Sequence, residues 1–126
     1  MPSTLPGTLP HVDFLRLAGS RHFDALVDEV VAAIGVARDA GRRGLLVDAR
    51  PLEHLAPPSV ADRAVLARRC ATASGGRVAV AMLLAEHLVD PERVGVVFAA
   101  QYGLLAQAFL DPEEAIGWLR DVTAGV

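Results

Sequence analysis

Apolar positions recur along the chain in two alternating rhythms. Residues 44–49 (GLLVDA), 77–84 (RVAVAMLL) and 104–110 (LLAQAFL) are apolar almost without interruption. Runs of that length suit strands, and strands apolar on both sides suit a sheet covered on both faces. Residues 12–18 (VDFLRLA) read as a further strand, and Asp13 and Arg16 mark it as an edge strand or one with a wet face. Between the strands, apolar residues recur every three or four positions. Phe23, Leu26, Val27, Val30, Ile34 and Ala37 form one such stripe, predicting a first helix capped by Ser20 and ended by Gly41. Val60, Ala64, Ala67 and Ala71 predict a second helix, whose small residues would let it lie close to the sheet. Ser59 and Asp62 have the spacing of a capping box at its start. Asp90, Pro91 and Glu92 announce a third helix with Val94, Val97 and Phe98 on its core face. Asp111, Pro112 and Glu113 repeat the signal for a fourth, with Ala115, Trp118, Leu119 and Val122 inward.

The resulting order is β-α-β-α-β-α-β-α. Strands joined by helical crossovers are expected to run parallel. The fold class is therefore α/β, with a mostly parallel four- to five-stranded sheet. Residues 11–123 form one domain, since no linker divides them. Residues 1–10, with Pro2, Pro6 and Pro10, read as a loose N-terminal arm because proline supplies no N–H to a ladder.

Composition narrows the functional classes. At 52 % hydrophobic and 21 % charged, the chain can bury a core and is not a disordered tail. A net charge of −3 argues against nucleic acid as a partner. All 12 basic residues are arginine, which fits a GC-rich coding bias. Cys70 is alone and forms no internal disulfide, as in a reducing compartment. No apolar run reaches the length of a membrane span, and the first residues lack the layout of a signal peptide. The expected location is cytoplasmic, without membrane insertion.

Catalytic constellations are missing from the sequence. His11, His22, His54 and His87 never share the i, i+4 spacing of a helical zinc pair. Gly75 and Gly76 precede a strand rather than a helix, the wrong side for cradling phosphate. Glu113 and Glu114 are neighbours on a helix and suit its positive end. No catalytic residue, metal ligand or cofactor is therefore assigned. One region keeps functional weight, because parallel sheets bind ligands beyond the carboxyl ends of their strands. That edge would gather Asp48, Arg50, Glu53, His54, Ser59, Glu86 and His87 for a ligand or partner.

Three segments carry a family resemblance: LLVDAR at 45–50, DPERVG at 90–95 and FLDPEEAIGWL at 109–119. Through them the chain resembles a STAS-type domain, the fold of the bacterial anti-sigma-factor antagonists. Within that group it is most similar to bacterial STAS-like proteins of unknown function. The resemblance spans residues 23–119. It implies no cofactor and a non-enzymatic role in protein–protein regulation. In the antagonists a serine at the start of a helix after a core strand is phosphorylated, and Ser59 stands in a similar place. The family's turn there is short, whereas this chain has the long loop 50–58 and no glycine after Ser59. Parts of the topology are also similar to CRAL-TRIO domains, which implies an alternative: a carrier of a small apolar or acyl ligand. A carrier requires an apolar cavity on the order of several hundred Å³, and an enzyme a titratable cluster in a cleft. The partner on the first reading is another protein or a second copy, for which Val65, Leu66, Val96 and Ala100 lie off the core stripes.

Overall fold

A computed structural model describes residues 9–124, in which the alternation becomes six strands and four α-helices. In chain order they are β1 (Val12–Arg16), β2 (Gly19–Ser20), α1 (Phe23–Asp39), β3 (Gly44–Asp48), β4 (Leu52–Glu53) and α2 (Val60–Ser74). Then follow β5 (Ala79–Leu83), a 3₁₀ turn at Glu86–Leu88, α3 (Val94–Gln101), β6 (Ala106–Phe109) and α4 (Pro112–Thr123). β1, β3, β5 and β6 form one sheet in that order, every neighbouring pair parallel. β2 and β4 add a separate two-residue parallel pair. The fold class expected from the sequence is thus the one observed. Residues 1–8 of the expected N-terminal arm lie outside the described residues, while Leu9 packs beside the core under α4.

The period-2 alternation of the strands sends side chains to two cores. Leu45, Val47, Val78 and Val80 face the first, which they share with Leu26, Val30 and Ile34 of α1, Ala67 and Cys70 of α2 and Ala99 of α3. Leu46, Ala81 and Leu83 face the second, closed by Ala115, Ile116 and Leu119 of α4. Three helices therefore share one face and α4 alone covers the other. β3 is buried at all five positions, as its apolar run predicts, and β1 is the edge strand that Asp13 and Arg16 indicated. α4 is built as read: the Asp111 carboxylate accepts from the Glu114 N–H at 3.1 Å, Pro112 is the first helical residue, and Trp118 is half-buried against Phe109 with ring centroids 5.8 Å apart.

Three helices depart from expectation. Ser20 does not cap α1; it is taken up in the β2–β4 pair, and α1 starts after His22. α3 starts at Val94 rather than at Pro91. The Asp90 carboxylate closes a turn by accepting from the Glu92 and Val94 N–H groups at 3.1 and 2.8 Å, and the helix follows that turn. The shifted start rotates the helix, so Ala99 is buried and Val97 is 50 % exposed. α2 has its capping box, with the Ser59 hydroxyl accepting from the Asp62 N–H at 3.0 Å. It does not lie close to the sheet, however. Its packing is against α1 and α3, and Val60 stands 57 % exposed.

Glycine 44 marks where α4 closes most tightly on the sheet. A Cβ added there would stand 3.1 Å from Val12 Cγ2, 3.2 Å from Leu119 Cδ2 and 3.3 Å from Thr123 Cγ2. Gly35, in the middle of α1, has nothing within 4 Å of the same position. Gly44→Ala is therefore expected to destabilise by about 1–3 kcal/mol through overpacking, and Gly35→Ala to stabilise by about 0.5–1 kcal/mol through helix propensity. Urea unfolding of both variants measures the two opposite signs.

Candidate functional site

Of the seven residues expected at the carboxyl edge, among the described residues only Asp48 and Arg50 are joined to each other by a side-chain hydrogen bond or ion pair. The Arg50 Nε and one terminal nitrogen each donate to the Asp48 carboxylate at 2.9 Å, and the Arg50 backbone N–H donates at 3.1 Å. Asp48 is 5 % exposed. It pairs in register with Arg16 and Leu83, which puts it on the face that α4 covers. Burial pushes its pKa up, but the hydrogen bonds and charge of Arg50, with the charge of Arg16, outweigh burial and hold the carboxyl below its ordinary range. Glu53, His54, Glu86 and His87 are exposed and, among the described residues, make no side-chain hydrogen bond or ion pair. His54 also sits in the left-handed region at φ +58°. Ser59 is spent on capping α2. Among the described residues no group of three or more His, Cys, Asp and Glu side chains could hold a metal ion, and no helix is long and apolar enough to cross a membrane.

The opposite face of the sheet holds a different feature, an apolar cavity of about 170 Å³ between the sheet and the three helices. Its origin lies in small side chains on facing walls. Ala106 and Ala108 of β6 pair in register with Val80 and Met82, so they point toward the helices. Ala67 of α2 and Gly95 and Ala99 of α3 line the other side. Larger apolar groups close the ends, among them Leu26 and Val30 of α1 and Leu88 of the 3₁₀ turn. Leu66 and Val96 also turn into this lining, so of the four residues offered for self-association only Val65 and Ala100 remain exposed. An apolar cavity of about 150 Å³ is enough to stay dry and admit benzene. The observed volume suits one ring or a short chain, and is smaller than a long-chain lipid carrier needs.

One end of the cavity is polar. Its lining there includes Arg63, Asp90 and the exposed Arg93. Each arginine is aimed by a bond to a backbone carbonyl: Arg63 donates to Pro58 O at 2.6 Å and Arg93 to Ala108 O at 2.7 Å. The backbone N–H groups of Val94 and Glu92 hold the Asp90 carboxyl below its usual range. Sequence reasoning passed over these residues. Their signal was the coincidence of alanine at both helix-facing positions of β6 with the alanine stripe of α2, which has meaning only once the two walls face each other.

A second hollow lies at the amino edge of the sheet, lined by Arg38, Arg42, Arg43 and Arg77. The helices end there, and cations beside helix C-termini offset the negative end of the dipole. Arg38 stands in the last turn of α1, and Arg43 donates to the Thr123 carbonyl at the end of α4. Arg42 lies 3.2 Å from Asp13. The charges of Arg38, Arg42 and Arg43 are thus accounted for by the fold.

Two outcomes are expected. The lowered pKa of Asp48 means that the ion pair contributes fully above the unfolded-state pKa and is lost as pH falls through the folded-state value. Asp48→Asn should cost about 1.5–3 kcal/mol at neutral pH, and its difference from wild type should shrink below about pH 4, measured by urea unfolding across pH. Cys70 lines the cavity and is buried, which pushes its thiol up to about 12 against the opposing charge of Arg69. Iodoacetamide at mildly alkaline pH should leave Cys70 unmodified in the folded protein and alkylate it fully in urea, as read by intact mass.

Compared with protein-family models, curated proteins and solved structures, the chain has no significant match.

Proposed function

We propose that this domain is a binding module for a small apolar molecule, seated between the helical layer and the sheet. The cavity carries this reading. Protein interiors pack like organic crystals, with few voids larger than a water molecule. An apolar space of about 170 Å³ beside the core leaves its lining without packing partners that an apolar occupant would restore. Of the readings from the sequence this favours the carrier of a small apolar or acyl ligand, but at about 170 Å³ the cavity falls short of the volume that reading expected, which reduces the ligand to a ring or short chain.

The STAS-like assignment supports a second reading, a non-enzymatic module that docks on another protein. The parallel α/β fold is compatible with it. Val60, Val65 and Val97 favour it, standing 57, 42 and 50 % exposed on α2 and α3. That surface lies on the outside of the helices and does not require the cavity.

The test is to fill the cavity from the sheet side. Ala106→Leu is expected to raise stability by about 0.5–2 kcal/mol, as cavity-filling substitutions do, and to abolish binding of 1-hexanol, followed by amide shifts of Ala67, Ala99 and Ala106 in the wild-type protein and of Ala67 and Ala99 in the variant. Absence of wild-type shifts at those residues, together with destabilisation by Ala106→Leu, would sink the proposal. On the protein-docking reading Ala106→Leu leaves partner binding untouched.

A further inference from the structure

We propose that the molecule held in the cavity is a small monocarboxylate, its apolar tail beneath α2 and its carboxylate against Arg63 and Arg93. The inference rests on the ligand-binding reading above and adds the chemical class of the ligand. Charge complementarity at the polar end of the cavity carries it.

Arg50, Arg42 and Arg69 each have a carboxylate of the chain at ion-pair distance, at 2.9, 3.2 and 2.8 Å. Among the described residues Arg63 and Arg93 have none, which they share with Arg16, Arg68, Arg77 and Arg120; what sets Arg63 and Arg93 apart is that both line the cavity. Each gives one N–H to a backbone carbonyl, which fixes the direction of the guanidinium, and the Asp90 carboxylate offsets part of the Arg63 charge through space without forming an ion pair. A guanidinium carries five N–H donors, so most remain for a planar carboxylate, the group that its fork matches. The Asp90 carboxylate is taken up by two backbone N–H groups and is not displaced onto either arginine. Two arginines and one aspartate leave a net charge of about +1 at this end. One carboxylate neutralises it, whereas a dianion such as a phosphomonoester would leave negative charge over an apolar cavity.

The backbone supports the same placement. Arg93 is in the left-handed region at φ +53°, a conformation that a long side chain adopts only when its surroundings impose it. The Asp90 turn before it and the bond to Ala108 across the cavity end impose it here. Arg63 lies beside α3 at the same end, its Cβ and Cδ within 4.0 Å of where a Cβ on Gly95 would stand.

The experiment compares hexanoate with 1-hexanol on the full chain by calorimetry, at neutral pH and at low and high salt. Hexanoate is expected to bind at least about tenfold more tightly, a ratio that falls as salt rises. In the Arg63→Gln/Arg93→Gln variant hexanol should keep its affinity, which also reports that the cavity is folded, while the advantage of hexanoate disappears. Equal affinity for the two probes in the wild-type protein overturns the carboxylate inference and leaves the cavity reading standing. So does an advantage of hexanoate that survives in the double variant. Binding of neither probe overturns the cavity reading itself.

Discussion

Three helices have to share one face of a sheet only four strands wide. Neighbouring strands lie about 4.8 Å apart, so the outer two are separated by about 14 Å. Packed helices lie about 8–10 Å apart, so the axes of three span about 16–20 Å. The helical layer is wider than the sheet beneath it. α1 packs on β1 and β3, and α3 on β6, while α2 between them leans on α1 and α3. The layer is an arch with α2 as its crown, and the apolar cavity is the space under the crown. The small side chains of Ala67, Ala99, Ala106 and Ala108 leave that space open where larger ones would fill it.

The other face shows what happens where the count matches. α4 alone covers it, pressed against β5 and β3 so closely that a Cβ on Gly44 would crowd Val12, Leu119 and Thr123 at 3.1–3.3 Å. Among the described residues the only charged group buried on that side, Asp48, is neutralised within two residues by Arg50. The two faces thus divide the work: one is closed by packing and by an internal ion pair, the other retains apolar volume and open cationic charge.

Much of this order is local and could be read from the sequence. The strand that becomes β3 is recognisable because a buried parallel strand is apolar on both faces, and α4 because Asp111, Pro112 and the stripe from Ala115 agree with one another. α3 was misplaced because the same Asp-Pro signal closes a turn at Asp90 instead of opening a helix, and a three-residue shift in the start exchanges Val97 for Ala99 at the core. The seven polar residues of the carboxyl edge were assembled from topology alone, and topology fixes which end of the sheet a residue occupies but not which face it points to. The cavity depends on the relative widths of two layers, a tertiary quantity that no window of sequence contains. The alanine stripe of α2 predicts close approach to the sheet, whereas α2 packs chiefly on α1 and α3 and reaches the sheet-side core through Ala67 and Cys70.

The arginines distinguish structural charge from charge held in reserve. Arg50 meets its counterion in a bidentate geometry beside a buried carboxylate, so nothing from outside could improve its electrostatics. Arg63 and Arg93 are oriented by neutral carbonyl oxygens, which fix position without cancelling charge. Holding Arg93 in a left-handed conformation costs stability. A strained cation on the wall of an apolar cavity is a poor way to stabilise a fold. It is a sound way to place an unsatisfied positive charge where a small anion with an apolar tail can meet both the cavity and the charge at once.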